Sequence, residues 1–198
     1  MLRLRPKARN ESGSEPPALQ PSAQIISYEI PLGLSILGVV LMTGSLNLEQ
    51  IIWSQATGHW FILFQPLAFV IFMTSAFAEC NRLPFDLPEC EQELIGGYHT
   101  EYNAMKLAFF FLGEYTHMIT TSFLMVILFF GGWHGPWEPL GPLWFLLKVF
   151  VVLFIFIWMR AALPRLRYDQ LMRFGWKVLL PVATLNAFVT ALVVVAVD

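Results

Sequence analysis

Six of the fourteen acidic residues in this 198-residue chain fall between positions 79 and 101, within AECNRLPFDLPECEQELIGGYHTEY. They are Glu79, Asp86, Glu89, Glu91, Glu93 and Glu101; two more, Glu29 and Glu114, stand inside long apolar stretches. Neighbouring carboxylates resist ionising together and titrate as a coupled set, which is the property a proton relay needs. An ionised carboxylate at the centre of a membrane helix costs about 2.5–3.5 kcal/mol on insertion scales, so Glu29 and Glu114 call for a nearby base or a proton-handling role. Lys148 and the cluster that begins at Arg160 are the bases that could serve. A solvated acidic surface is the ordinary reading of an acidic loop. The two intramembrane acids, with Glu79 between them and the loop, favour a functional chain of carboxylates.

Other chemistry is poorly supported. Glu114-x-x-His117 has the spacing of half a di-iron site, but such a site needs a second pair and two more glutamates, and no second pair exists. His59, His99 and His134 have no ligand partners in sequence and read as interfacial or loop histidines. Cys80 and Cys90 form no CxxC or Cys/His cluster, so no iron–sulfur or zinc centre is encoded, and a disulfide is not expected in a cytoplasmic loop. There is no Gly-rich phosphate loop, haem motif or nucleophile motif, so the chain is expected to bind no cofactor or metal and to carry no redox centre.

The elements that position these acids are membrane helices. Hydrophobic residues make up 57% of the chain and charged residues 13%, against about 25% charged in soluble proteins. We expect an all-α, polytopic helical membrane protein: a disordered polar tail over 1–21, then one transmembrane domain over 22–198. Five spans are expected, at about 23–48, 60–78, 104–130, 143–159 and 178–197, each compared with an apolar core about 30 Å thick. Pro31 is expected to loosen the first turns of span one beside Glu29, and Pro66 to kink span two. Glu49 and His59 mark a polar link, and residues 131–142 a tight aromatic turn. Glu114, Thr116 and His117 form a polar set in span three, and 114 and 117, three apart, share a face. Within the acidic loop Asp86 is placed to cap a short helix, with Glu89 in capping-box relation, Pro88 in the first turn and Gly96 and Gly97 at its end. Glu89 and Glu93 would then lie one turn apart on one face, with Glu91 elsewhere.

The basic residues supply an orientation test. Four lie in the tail, Arg82 and Lys106 flank the acidic loop, and five lie between Arg160 and Lys177; with five spans these all fall on one side, Lys148 alone lying within a span. By the positive-inside rule the tail, the acidic loop and the basic loop are cytoplasmic. The basic start runs into Asn, Glu, Ser and Pro rather than an apolar segment, so no cleavable signal is expected and the first span serves as insertion signal. Arg160, Arg165, Arg167 and Asp169 form a second candidate surface, able to dock the acidic loop or a soluble partner by ion pairing.

The wording NRLPFDLPECEQELIGGYHTEY, with AQIISYEIPLGLSILGVVLMTGSLNL, FFLGEYTHMITTS, LFFGGW and PRLRYDQLMRFGWKVLLP in that order, resembles one family over nearly all of residues 22–198. It is the membrane component of respiratory complex I (NADH:quinone oxidoreductase) that lies against the quinone chamber, the H subunit of bacteria and its mitochondrial equivalent, subunit 1. The resemblance implies a non-redox subunit that couples reduction of ubiquinone or menaquinone to proton pumping, with NADH, FMN and iron–sulfur clusters held by partner subunits. It places the chain in a bacterial inner membrane among the other membrane and hydrophilic subunits of the complex. Glu29, Glu79, Glu89, Glu91, Glu93, Glu101 and Glu114 match the family's line of carboxylates, and Arg82, Pro84, Phe85 and Asp86 its loop beside the chamber. Family members carry further helices before the span bearing Glu29, where this sequence has a polar tail, so the chain by itself is not expected to complete the chamber. The equivalent subunit of a membrane-bound hydrogenase or formate hydrogenlyase, and an independent ion channel lined by the same acids, are the alternative readings.

Overall fold

A computed structural model describes residues 19–56, 60–80, 104–135, 140–162 and 168–197; for 19–24, 104, 106, 107, 110, 168, 169 and 197 it describes the backbone alone. The described residues are helical, with no strand: α1 Leu19–Thr43, α2 Leu48–Ser54, α3 Phe61–Phe64, α4 Pro66–Glu79, α5 Ala104–Phe129, α6 Gly141–Ala162, α7 Tyr168–Phe174 and α8 Leu180–Val197. A π-helical turn, Gly175–Leu179, joins α7 to α8. Among the described residues four segments are long and apolar enough to cross a membrane: Ile25–Thr43, Phe111–Phe129, Gly141–Ala162 and Gln170–Ala196. Large apolar side chains such as Phe150, Phe154, Trp158, Phe188 and Val195 are exposed, as expected of a bundle whose outer surface meets lipid or neighbouring membrane helices.

Several boundaries depart from the sequence reading. The first helix begins at Leu19, inside the segment expected to be a tail, so Pro31 lies in its interior rather than in its first turns. It ends at Thr43, short of Leu48, because Gly44 adopts φ +67°, a left-handed cap that glycine takes without steric cost. The expected polar link then contains helix α2: the Asn47 side chain accepts a hydrogen bond from the Glu49 N–H (3.0 Å), and Ile51 and Ile52 are buried. The last span starts in α7, at Gln170, ahead of the expected Val178.

The second expected span is a broken helix. Gln65, at φ −128° and ψ 61°, leaves the helical region because the ring of the following proline disfavours it, and Pro66 then opens α4 from its first position. The α4 side chains Ile71, Phe72, Ala76 and Phe77 are buried at the centre of the core. Phe69 and Phe72 meet Phe129 of α5 at 5.5 and 5.7 Å between ring centres, and Phe77 meets Phe156 of α6 at 4.2 Å. Helix α1 packs against α4 and α8.

At its start the last span docks on α1. The Tyr28 hydroxyl donates to the Leu171 carbonyl (2.9 Å), and Trp176 Nε1 donates to Ser27 Oγ (2.9 Å). Gly175 opens the π-helical turn where Tyr28 packs: a Cβ there would stand 3.4 Å from the Tyr28 ring. Such wide turns are uncommon and here fall where a neighbouring side chain takes up a backbone acceptor.

The C-terminal end of α5 is held by side chains from two other helices. Gln55 Nε2 lies 3.1 and 3.2 Å from the carbonyls of Ile127 and Leu128, and its Oε1 accepts from the Phe61 N–H (3.4 Å). Lys148 Nζ donates to the carbonyls of Phe130 (2.7 Å), Gly132 (3.1 Å) and His134 (2.6 Å), with the Trp60 ring 5.2 Å away. The last carbonyls of a helix have no intrahelical partner, and a cation at that end also opposes the helix dipole. Gly131 and Gly132 turn the chain there at φ +71° and +54°, and a Cβ on Gly132 would come within 2.9 Å of Ile52. Lys148→Met is therefore expected to leave three carbonyls short of a donor and to destabilise the protein by about 1–3 kcal/mol. A chaotrope unfolding series in membranes, with Lys148→Arg expected to recover part of the loss, measures it.

Candidate functional site

The bundle runs up and down, so the start of α1, the end of α4, the start of α5, the end of α6 and the start of α7 share one end. Glu29, Glu79, Glu114 and Arg160 all lie towards it. Lys148 lies towards the other, bonded to the turn after α5, about 22 Å of helical rise beyond Glu114. Of the two bases named for the intramembrane acids, Lys148 is thus excluded by position, and its ammonium is occupied by carbonyls.

Glu79 is the last residue of α4, and the helix ends on Cys80, whose N–H donates to the Ala76 carbonyl. The two consecutive side chains reach one imidazole of α5: His117 Nε2 lies 3.4 Å from Glu79 Oε1, and His117 Nδ1 lies 3.4 Å from Cys80 Sγ. Cys80 is a free, buried thiol, whereas the side chains of Glu79 and His117 are 27% and 43% exposed. The site therefore sits at the rim of the bundle, where protons can arrive from outside it. An imidazole with a carboxylate on one nitrogen and a thiol on the other can take a proton at one ring atom and release it at the other. The spacing of Glu114 and His117 marked their shared face; the meeting of His117 with Glu79 and Cys80 joins different helices and had no signal in sequence.

The other predicted residues distribute as follows. Glu114 is half-buried in α5, one turn before His117 on the same face. Glu29 is exposed on α1, beside the buried Tyr28 that fixes this part of the helix against Leu171. Arg160 is exposed in the last turn of α6 and, with Tyr115, Met118, Phe156 and Ile157, lines a cavity of about 250 Å³ between α5 and α6. The backbone of Asp169 lies in α7. Arg82, Pro84, Phe85, Asp86, Glu89, Glu91, Glu93, Glu101, Arg165 and Arg167 lie outside the described residues, as do Cys90, His59 and His99. Among the described residues no group of three metal-ligating side chains occurs.

Residues 17–191 match the sequence family described as NADH dehydrogenase. The chain belongs to that family. It is 58% identical over 173 residues to the H subunit of the NADH-quinone oxidoreductase of Protochlamydia amoebophila, covering 87% of this chain and 53% of that protein. Against an H subunit of the Geobacter metallireducens enzyme identity is 55% over 168 residues (85% and 50% covered), and against that of Bacillus cytotoxicus 53% over 179 residues (88% and 53% covered). The chain thus spans about half the length of the curated relatives it matches. Family membership and the long apolar helices together make it a membrane protein.

A double-mutant cycle tests the α4–α5 contact. Glu79→Gln and His117→Leu are each expected to destabilise the chain, with a coupling of about 0.5–3 kcal/mol between them in chaotrope unfolding. Strictly additive losses would mean that the two side chains do not interact.

Proposed function

We propose that this chain is a non-redox membrane subunit of a proton-translocating NADH:quinone oxidoreductase, with residues 22–198 as one membrane domain. In this reading it lines part of the quinone chamber and couples quinone reduction to proton pumping through its carboxylates. Its partners are the other membrane and hydrophilic subunits of the complex, which hold NADH, FMN and the iron–sulfur clusters. Quinone, ubiquinone or menaquinone, is substrate and not a resident group. The membrane is the bacterial inner membrane, with the N-terminus and acidic loop cytoplasmic.

The observation that carries the reading is the pairing of Glu79 with His117 at 3.4 Å. A carboxylate locked to Lys or Arg would keep its charge and could pass nothing on, whereas an imidazole held between Glu79 and Cys80 has two ring nitrogens, one able to take a proton as the other releases one. Glu79 stands where α4 gives way to the acidic loop, and Glu114 stands one turn along α5 from the same imidazole. The pair therefore offers a link between loop acids and a membrane acid. Arrival of charge or a proton at the loop end changes the proton affinity of Glu79, that change is felt at His117, and Glu114 lies next on the same helical face. Coupling of this kind needs no electron carrier in the chain, because each proton gained alters its neighbours' affinities. Glu29 serves as a further relay member from α1, with the loop acids Glu89, Glu91, Glu93 and Glu101 leading in, and Arg82, Pro84, Phe85 and Asp86 beside the chamber. Arg160, Arg165, Arg167 and Asp169 form the docking surface on the same side.

In complex assembled with this chain and reconstituted into vesicles, Glu79→Gln and Glu114→Gln are each expected to lower NADH:quinone activity and proton uptake together, by tenfold or so for a step that loses about 1.4 kcal/mol. Wild-type rates in both assays would remove the two residues from the relay.

A further inference from the structure

Towards the end of the bundle opposite the carboxylates, the break at Gln65 creates a polar site among apolar side chains. Gln65 is 5% exposed, and its Nε2 donates to the Gly38 carbonyl of α1 (3.1 Å) and to Thr190 Oγ1 of α8 (3.3 Å), whose own hydroxyl donates to the Asn186 carbonyl (2.8 Å). Two buried atoms remain without a partner: Gln65 Oε1, an acceptor, and Asn186 Nδ2, a donor. Both face the missing side chain of Gly38, where a Cβ would stand 2.9 Å from Gln65 Oε1 and 3.7 Å from Asn186 Nδ2. They are therefore close neighbours that nevertheless make no direct bond.

We infer that a single water molecule is bound here, accepting from Asn186 Nδ2 and donating to Gln65 Oε1, in a site shared by α1, the α3–α4 break and α8. The orientation of Gln65 is set by its neighbours: turned over, its Oε1 would oppose the Gly38 carbonyl, acceptor against acceptor. Its oxygen must then point into the site. Leaving a buried amide oxygen and a buried amide N–H both unbonded is costly, and the group that satisfies both needs one donor, one acceptor and little volume. Water meets all three requirements, and it meets them in either orientation of Asn186, since it can donate to two acceptors as well. The site also explains the residue types around it. A glycine at 38 of α1 leaves the approach open, and the two amides and the hydroxyl stand on the two otherwise apolar segments that face it, the α3–α4 break and α8. Discontinuous membrane helices are the places where polar groups and water are tolerated at depth, because the freed backbone there needs partners.

The test is a density map, at a resolution that shows ordered water, of the assembled membrane complex containing this chain, for wild type and Gly38→Ala. A peak at hydrogen-bonding distance from both Gln65 Oε1 and the Asn186 amide, lost in Gly38→Ala where the added methyl displaces the Gln65 amide, is the expected result. A direct Gln65–Asn186 bond, a dry gap, or a peak ringed by five or six oxygens as a cation would be, overturns it. Should Gly38→Ala fail to assemble, Asn186→Leu replaces it, with the same loss of the peak expected, and the wild-type map alone still decides against the water if no peak is present.

Discussion

A peptide group in hydrocarbon has no water to turn to, so wherever a helix ends or breaks inside this bundle another residue has to complete its hydrogen bonds. Four polar side chains of the described residues bond carbonyls of other segments. Lys148 takes the carbonyls of Phe130, Gly132 and His134, Gln55 takes those of Ile127 and Leu128, Tyr28 takes that of Leu171, and Gln65 takes that of Gly38. Each of these contacts joins segments distant in sequence, so the same bonds that satisfy the backbone also fix which helices are neighbours.

The arrangement has a consequence for charge. Lys148 is committed to the turn after α5 and is out of reach of the acids at the opposite end. Glu79 instead meets an imidazole, and the imidazole also meets a thiol. A permanently charged partner would make Glu79 a structural ion pair; a histidine makes it a group whose partner can itself gain or lose a proton. The contact is at the rim of the bundle, on the last turn of α4.

The apolar packing supplies rigidity between these two ends. The rings of Phe69, Phe72 and Phe129, and the close pair Phe77 and Phe156, fill the space between α4, α5 and α6. Helix α4 is held along its length, so the position of Glu79 relative to His117 follows from the packing of Phe72, about two turns before it, and of Phe77, about half a turn before it. The break at Gln65 confines the irregular backbone to one position, and α4 then runs unbroken from Pro66 to Glu79.

Much of this is legible in the chain itself. Apolar runs of span length, prolines at 31 and 66, and the acids at 29, 79 and 114 stand out against 57% hydrophobic content, and the long motifs in order point to the family. Helix α2 escapes a reading of the sequence because seven residues bracketed by polar ones carry too little periodicity to register, and the early start of the last span escapes it because the bases at 173 and 177 mask its apolar face. What composition and spacing determined is that this is a helical membrane protein with acids set in or beside apolar segments, because the cost of burying polar groups in hydrocarbon is written into residue type. Which acid meets which base was decided only by tertiary structure: a lysine is free to pair with any carboxylate until packing sets the two at opposite ends of the bundle, and a histidine 38 residues from a glutamate becomes its partner only when α4 and α5 lie side by side.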